Sequence, residues 1–324
     1  MSNSNKYAFD IQVAANTYSG ELAMPYVGAA TLGAESIAKG RMRLIEGVTR
    51  KAVVNPIAVA DPIVASSCST TDGANITVNE QVATLSDLMV SEQVCRKTIF
   101  PTYIAAQNRM NRDGELPPAF SDFLLLYTAQ RAGAHLEKLM FQGDSGAVFG
   151  TGFLSTDGVI DDHATGIKGG ACKDFAEADL NTAFTKSSIL GHMDSVFETA
   201  AATPAILDKP GCGFYVSYEA YAFFQQAIAD KGTEGNYNKD LKSVTYLGYP
   251  VYPTAGIPNA KDVMIFTYPD NLVVATNNFT ADTEAQLIPR YQYDGSDNVQ
   301  VTMRFAVGVQ TAVATDGVVG FNFS

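Results

Sequence analysis

Residues 117–143 read PPAFSDFLLLYTAQRAGAHLEKLMFQG, and this stretch carries the strongest helix signal in the chain. Proline is tolerated in the first turn of a helix and glycine commonly ends one, so Pro117-Pro118 and Gly143 predict the two ends. Apolar residues recur at alternating spacings of four and three, which places on one helix face Leu125, Ala129, Ala132, Leu136 and Leu139. A helix of this length would extend for about 35 Å, and we call it the spine helix.

The last part of the chain has the two-residue period of β-strands. Apolar and polar residues alternate through a strand whose inward positions are Val299, Val301, Met303, Phe305, Val307 and Val309. A partner strand before it is expected to carry on one face Leu287, Pro289, Tyr291 and Tyr293. Asp294-Gly295 begins the predicted turn between the two strands. The second strand would be about 45 Å long, which exceeds most strands of compact domains.

A long two-stranded excursion is predicted for residues 41–90. Its first half is rich in β-branched residues but is interrupted by Pro56 and Pro62, which suits a protruding ribbon better than a central strand. Turn-forming residues 66–75 separate it from a return strand that begins at Ile76. A lone hairpin of this length is marginally stable, because neither face has a core to pack on. We therefore expect this ribbon to lie on a neighbouring subunit.

The beginning of the chain predicts an arm and no targeting segment. Residues 1–27 show no sustained period and are expected to be extended, and residues 29–39 favour a short helix that Gly40 ends. The start is polar and lacks a charged segment followed by an apolar run. The longest apolar runs, such as residues 123–127, are too short to span a bilayer. We expect a soluble chain that is made in the cytoplasm.

The region between the spine helix and the last strands predicts a compact domain of alternating helices and strands. Residues 143–170 are expected to be loops and turns, and residues 187–201 a helix. A short strand at residues 214–216 leads into a helix capped by Ser217. After a polar loop, residues 248–253 favour a strand that is entered through a turn.

Composition limits the possible functions. The formal net charge is −12 and no basic tract is present, which argues against a protein that grips phosphate backbones. Charged residues make up only 17% of the chain, well under the roughly 25% of a typical soluble domain. Either the chain is a rather neutral monomer, or subunit contacts hide surface that a monomer would keep charged. Four scattered cysteines are expected to be reduced thiols: Cys68, Cys95, Cys172 and Cys212.

The best enzyme lead is Gly143-Asp144-Ser145-Gly146, which matches the nucleophile motif of trypsin-like proteases. A nucleophilic serine needs a histidine as base and a buried aspartate to orient it. This segment follows a long helix where those proteases have β-barrel strands, and His135 lies on that same helix. A helix stop with local turn bonds is the favoured interpretation, and a serine hydrolase around Ser145 is a remote alternative.

Other candidate sites are weaker. Asp161-Asp162-His163 could offer metal ligands, but adjacent residues do not easily converge on one ion. His135 and His192 lie on predicted helices, where packing or capping roles are more common than catalysis. The glycines at 146, 150 and 152 lack the strand-before, helix-after setting of a nucleotide loop. We therefore predict no catalytic, cofactor-binding or metal-binding residues, no cofactor and no enzymatic activity.

The order of these parts resembles the HK97-like fold of tailed-phage major capsid proteins. The most specific pieces are HLEKLMFQGDSGAVFGTGFLS at 135–155, FYVSYEAYAFFQQAIADKG at 214–232, and LGYPVYPTAGIP at 247–258, followed by MIFTYPDNLVV at 264–274. The resemblance implies an α+β fold with four parts. These are an arm and short helix (1–40), an extended loop hairpin (41–95), a peripheral domain with the spine helix (96–150 and 268–311), and an axial domain (151–267 and 312–324).

The resemblance also implies a structural function. Such subunits self-assemble as hexamers and pentamers into the icosahedral shell that encloses the genome of a double-stranded DNA bacteriophage, with a portal protein at one vertex. We expect a virion protein that is assembled in the host cytoplasm and encloses DNA without sequence-specific binding. No long charged helical segment precedes the arm, so any scaffolding protein, like any decoration protein, is expected to be a separate chain. The alternative is an encapsulin-type compartment shell that holds cargo enzymes.

Overall fold

The computed structural model describes thirteen segments of the chain: residues 16–19, 23–54, 57–59, 76–78, 80–113, 120–143, 149–156, 159–160, 170–180, 182–230, 245–259, 262–277 and 284–322. Their helices are α1 (Met24–Leu32), α2 (Glu35–Ala38), α3 (Arg96–Asp113), α4 (Phe120–Gln142), α5 (Ile189–Ala201), α6 (Pro204–Leu207), α7 (Tyr218–Asp230) and α8 (Tyr291–Asp294).

Their strands fall along the whole described chain. They are β1 (Asn16–Ser19), β2 (Arg43–Ile45), β3 (Lys51–Val54), β4 (Ile57–Val59), β5 (Ile76–Val78), β6 (Gln81–Thr84), β7 (Ser86–Cys95), β8 (Ser155–Thr156), β9 (Val159–Ile160), β10 (Ala176–Asp179), β11 (Gly213–Val216), β12 (Thr245–Tyr246), β13 (Tyr249–Pro253), β14 (Val263–Thr267), β15 (Leu272–Thr276), β16 (Glu284–Pro289), β17 (Asn298–Thr311) and β18 (Val318–Phe321).

The spine helix is α4, and it packs on a six-stranded sheet built around the long strand β17. The sheet order is β1-β16-β17-β15-β2, and β7 pairs with β17 along its other edge. The predicted inner face of α4 is confirmed, because Leu125, Ala129 and Leu136 are buried. Gly143, with φ of +64°, follows the last residue of α4 as expected. The predicted alternation of β17 is also confirmed as far as Phe305, beyond which both faces of the strand are buried.

A second six-stranded sheet, with order β10-β18-β14-β11-β13-β12, carries α5 and α7. Its five-residue strand β14 is fully buried, and Phe214 of β11 packs its ring 4.6 Å from that of Phe266. Ser217 caps α7 as predicted, since its hydroxyl accepts a hydrogen bond from the Ala220 N–H at 3.2 Å. The apolar side chains of this sheet, α5 and α7 form one cluster, and those around α4 and β17 form another.

The predicted ribbon is present as two antiparallel strand pairs, β3 with β6 and β4 with β5. Its extent differs from the predicted range of residues 41–90. β2 pairs with β15 and β7 pairs with β17, so both ends of that range belong to the central sheet. The reason is that β2 and β7 pack Leu44, Leu88 and Val90 against the apolar core around the central sheet, whereas the ribbon begins only where the chain leaves the sheet. The turn-forming residues 66–75 lie outside the described residues.

Two other predictions were wrong at element ends. The strand before β17 ends at Pro289, and Tyr291 and Tyr293 lie instead in the single-turn helix α8, where both are exposed. Proline ends the strand ladder there, and Gly295, with φ of +68°, closes the turn. At the other end of the chain, α1 begins at Met24, within the stretch expected to be extended, and its apolar face packs against the spine helix.

Helix α3 was not predicted. It spans 18 residues and contains Pro101 in its interior, and its composition is largely polar. Phe100 and Tyr103 nevertheless pack on Phe120 at the start of the spine helix, with ring centroids 6.3 and 5.2 Å away.

Candidate assembly surfaces

The ribbon leaves the body of the subunit by crossing strands β15 and β17 at the smallest residue of each strand. Ala275 and Gly308 are register partners on these strands. Ala52 of β3 and Ala83 of β6 are buried against Ala275. The expectation that the ribbon has nothing to pack on within its own subunit is therefore wrong for its base, where small side chains allow a close backbone crossing.

A backbone hydrogen bond fixes this base to the sheet, since the Val48 N–H donates to the Thr276 carbonyl of β15 at 3.0 Å. Within the ribbon, the Leu85 N–H donates to the Arg50 carbonyl at 2.9 Å and continues the pairing of β3 with β6. The Gln310 side chain adds a bond of 2.9 Å to Gln81. The direction in which the ribbon departs is therefore set by the subunit itself.

A groove of about 640 Å³ opens beside the base of the ribbon. We call it the cationic groove, because its lining includes Arg50, Lys51 and Arg304 against the single carboxylate of Asp87. Arg304 also lies 3.8 Å from Glu284 across the sheet. The side chains of Arg50 and Lys51 are exposed, and within the described part of the chain neither has an ion-pair partner. Such a concentration of positive charge is notable in a chain of net charge −12.

A second groove of about 480 Å³ runs between β7 and the spine helix. We call it the apolar groove, and its lining includes Leu88, Met89, Ala132, Leu136, Leu139 and Phe305. Met89 also lines the cationic groove and is 61% exposed, so the two grooves meet at this side chain. An ion pair between Arg131 and Glu92 lies at the apolar groove. Thr128, which also lines it, has the one buried side-chain oxygen without a hydrogen-bond partner among the described residues.

The joint between the spine helix and the segment that follows α1 contains a buried carboxyl group. Glu137 is 1% exposed and accepts hydrogen bonds from the Ser36 hydroxyl at 2.5 Å and the Ser36 N–H at 3.2 Å. Burial raises the pKa of the Glu137 carboxyl, and the two bonds from Ser36 offset this only in part. The Glu35 carboxylate adds to the rise in pKa and the Arg41 guanidinium opposes it.

Arg41 links this joint to the second sheet. Its guanidinium donates to the Pro253 carbonyl and lies 5.2 Å from the centre of the Tyr252 ring. The Tyr215 hydroxyl donates to the Arg41 carbonyl at 2.7 Å. The arrangement holds the spine helix and the second sheet together through polar contacts that have a structural role.

Within the described part of the chain, the candidate catalytic and metal-binding residues do not come together in one site. Ser145 and Asp161-Asp162-His163 lie outside them. His135 is exposed on the spine helix. His192 is largely buried, with Thr182 Oγ1 at 3.3 Å and the Phe184 ring at 5.5 Å, and burial lowers its pKa. Within the described ranges, no group of three or more His, Cys, Asp or Glu side chains could hold a metal ion.

Two further expectations concern cysteines and membrane spans. Cys95, Cys172 and Cys212 are free thiols, of which Cys172 and Cys212 are buried, and Cys68 lies outside the described residues. Burial raises the pKa of the Cys212 thiol to about 12, so it is protonated and unreactive at neutral pH. Among the described helices, none is both long enough and apolar enough to cross a bilayer.

Comparison with known proteins identifies the fold. No protein-family model matches the chain, and no curated protein matches it. Solved structures do match along nearly its whole length. The capsid of a native GTA particle is 13% identical with a TM-score of 0.52, covering 99% of this chain and 97% of that one. The capsid of the empty GTA particle is 13% identical with a TM-score of 0.53, covering 91% and 90%.

A third solved structure comes from a named phage. The capsid of Myoviridae phage XM1 is 10% identical with a TM-score of 0.51, covering 89% of this chain and 91% of that one. At such identity the likeness establishes fold alone. The chain has the α+β HK97-like fold, as the order of its parts predicted. Within that class, the matched structures named here are the capsids of the GTA particle and of phage XM1.

Proposed function

We propose that this chain is the major capsid protein of a tailed double-stranded DNA bacteriophage. In this role it self-assembles as hexamers and pentamers into an icosahedral shell. The observation that carries the proposal is the match to a capsid subunit over 99% of the chain, together with a ribbon that leaves the subunit body. A compact monomeric enzyme has no need for a protruding pair of strands rich in β-branched residues, whereas a shell subunit can bury it on a neighbour.

The surface chemistry supports an assembling subunit. Large apolar side chains are exposed on the body, among them Met89, Leu126, Tyr127 and Tyr293, while charged residues make up only 17% of the chain. Aromatic residues and methionine are enriched at protein interfaces. In a closed shell, each subunit repeats modest contacts with several neighbours, and symmetry sums them into a stable particle.

The proposed division of the chain has four parts: an arm (1–40), an extended loop (41–95), a peripheral domain (96–150 and 268–311) and an axial domain (151–267 and 312–324). The separate sheets around β17 and β11 support the last two parts, since every strand of the second sheet comes from the proposed axial segments. Strands β2 and β7 join the peripheral sheet, so the extended loop and the peripheral domain would share one layer.

The proposed function also implies binding partners and a location for the chain. The subunit would contact copies of itself, a portal protein at one vertex and, where present, separate scaffolding and decoration proteins. It would be a virion component assembled in the host cytoplasm, with no catalytic residue and no cofactor. A net charge of −12 suits a lining along which packaged DNA moves without sticking.

Electron microscopy of native particles tests this function. Particles that contain the chain are purified, imaged in negative stain, and assayed for nuclease-protected DNA in the same preparation. We expect tailed, DNA-filled shells. Small DNA-free shells that enclose an enzyme would favour the encapsulin-type compartment instead, and a chain that remains monomeric at every concentration would contradict a shell function altogether.

A further inference from the structure

The joint between the spine helix and the second sheet contains a cation that contacts only neutral groups. Among the described residues, Arg41 forms no ion pair, although its half-buried side chain lies near two carboxyl groups, Glu35 and Glu137. Its guanidinium instead contacts two groups of β13, the Pro253 carbonyl and the Tyr252 ring. A guanidinium binds a carboxylate more strongly than it binds a neutral acceptor. The stronger kind of partner is therefore close to Arg41 and unused.

The Glu137 carboxyl group has no counter-charge within ion-pair distance among the described residues. Its oxygens accept hydrogen bonds from the Ser36 hydroxyl at 2.5 Å and the Ser36 N–H at 3.2 Å. Burial raises its pKa, because a buried charge without a partner is costly and the neutral acid is favoured. An ionised Glu137 would need a cation, and Lys39 is already paired with Glu35. Arg41 is therefore the cation of this joint that can serve Glu137.

Glu137 is the group of this joint whose charge changes between weakly acid and neutral pH. Although burial opposes it, hydrogen bonds from Lys39 and Tyr218 lower the pKa of Glu35, so this carboxylate stays charged. Burial raises the pKa of the neighbouring tyrosines, that of Tyr218 to about 12, so they stay neutral. The charged or titratable groups that other elements bring close to Glu137 or Arg41 are Glu35 and Lys39 of α2, Tyr215 of β11, Tyr218 of α7 and Tyr252 of β13.

The segment that follows β13 connects this joint directly to the spine helix. A β-carbon on Gly256 would be 2.5 Å from the Glu137 carbonyl oxygen, so the two backbones are in close contact. The Gln142 side chain donates to the Gly256 carbonyl at 2.6 Å. The Thr254 N–H donates to a carbonyl of β11 at 2.8 Å and ties the end of β13 to the second sheet. A change in how Pro253 is held therefore affects contacts with both the spine helix and the second sheet.

We propose that Arg41 is a pH-dependent latch between the spine helix and the second sheet, bound to Pro253 and Tyr252 while Glu137 is neutral and drawn to Glu137 when this carboxyl group ionises. The cost of a buried, unpaired carboxylate favours the exchange of partners. In the second state the end of β13 loses its bond to Arg41 and opens more readily. This inference goes beyond the proposed shell function, because it concerns the folded chain itself and holds whether or not copies assemble.

Hydrogen exchange of the full-length chain tests the latch. Protection of the amides in residues 249–258 is measured from about pH 4.5 to about pH 7.5, with rates corrected for the intrinsic effect of pH on exchange. In the parent, protection should fall by about fivefold or more as pH rises, as expected when a proton is coupled to a local opening. In Glu137→Gln, which has nearly the same shape but cannot ionise, protection should stay high at every pH. In Arg41→Gln, which removes the cation, protection should be low at every pH.

Two further variants are controls for charge. Glu80→Gln removes an exposed carboxylate from the ribbon and should keep the pH dependence of the parent. Arg41→Lys keeps a cation that can pair with a carboxylate, so it should keep a pH dependence that Arg41→Gln lacks. All three histidines of the chain are retained in every variant, so their titration contributes equally to all the profiles.

The measurement can overturn the proposal in three ways. Protection that does not change with pH in the parent would show that no latch opens. A pH dependence that survives in Glu137→Gln would assign the effect to another group. The parent's profile in Arg41→Gln would show that Glu137 acts without any exchange of partners by Arg41.

Discussion

Gly308 of β17 lies directly against the backbone of Thr84 in β6, such that a β-carbon on Gly308 would be 2.4 Å from the Thr84 carbonyl oxygen. Real β-carbons do not approach backbone oxygen so closely, and backbone cannot yield as a flexible side chain can. Glycine at this position therefore allows the base of the ribbon to cross the central sheet. The crossing couples a residue of the subunit core to the part of the chain that we assign to assembly.

Replacing this glycine should shift the base of the ribbon. We expect Gly308→Ala to lower the free energy of unfolding by about 1–3 kcal/mol, as overpacking does in a well-packed interior, and to reduce particle yield further than the lower stability alone explains. Gly191→Ala is the control, because no atom lies within 4 Å of a β-carbon built there in α5. Thermal melting and sedimentation of both variants measure the two effects. Unchanged melting and yield in Gly308→Ala would show that the crossing is loose.

The buried carboxyl group of Glu137 should make stability depend on pH. Burial raises its pKa in the folded chain above that of an unfolded chain. The folded state therefore binds the proton more tightly than the unfolded chain does. The stability that Glu137 contributes is present below its unfolded pKa and is lost as pH rises through its folded pKa. Glu137→Gln removes that loss. The melting temperature of the variant minus that of the parent should increase by roughly 1–3 °C as pH rises from about 4.5 to about 7.5.

The control for this prediction is Glu219→Gln, which removes an exposed carboxylate from α7. Its melting temperature should follow that of the parent across the same range of pH. Ser36→Ala supplies a second test, since it removes the hydroxyl that donates to Glu137 at 2.5 Å. The pH dependence of the parent should become steeper in this variant, and a flatter curve would contradict the assignment.

The sequence was sufficient to predict the elements with strong periodicity. The spine helix and β17 are long enough for their patterns of 3.6 and two residues to stand out, and the Ser217 cap follows a local rule. Helix α3 was missed because Pro101 and a largely polar composition hide its period. The end of β16 was missed because the alternation continues through Tyr291, although the backbone turns there.

The assembly surfaces depend on contacts that have no sequence signal. Nothing in the residues around Gly308 distinguishes a close backbone crossing from an ordinary strand glycine. The burial of Ala52 and Ala83 on Ala275 is also invisible to a hydrophobic pattern, because alanine is common on exposed and buried strands alike. The cationic groove brings together residues from positions 50 and 304, and only the fold makes them neighbours.

The shell should hold together without covalent bonds between subunits. Some HK97-like capsids join a lysine of the extended loop to an asparagine of a neighbour. This chemistry needs an amine on the outer part of the loop, and beyond Lys51 at the base of the ribbon the chain has no lysine from Ala52 to Arg96. Boiled denaturing gels of mature particles should therefore show only monomer. A ladder of high-mass bands that survives reduction would contradict this prediction.

Removing the outer ribbon should separate folding from assembly. The structure defines where to cut: β3 and β6 remain, because Ala52 and Ala83 pack on the subunit, and residues 57–78 are replaced by a short Gly-Ser turn. Each bulky apolar side chain contributes about 1.5–3 kcal/mol when buried, so losing five or six removes on the order of 10 kcal/mol from each neighbour contact, before ordering costs reduce the net figure. We expect a variant that melts like the parent but forms no shells of native size.

A deeper excision provides the contrast. Replacing residues 51–84 by the same short turn also deletes the contacts of Ala52 and Ala83 with Ala275. This variant should melt at a lower temperature than the parent, because the part of β15 and β17 that the base of the ribbon buries becomes exposed to water. Sedimentation and thermal melting of the two excisions and the parent measure both effects. Native-sized particles from the shorter excision would show that the outer ribbon has no part in assembly, whereas failure of that variant to fold would place the outer ribbon in the subunit's own core.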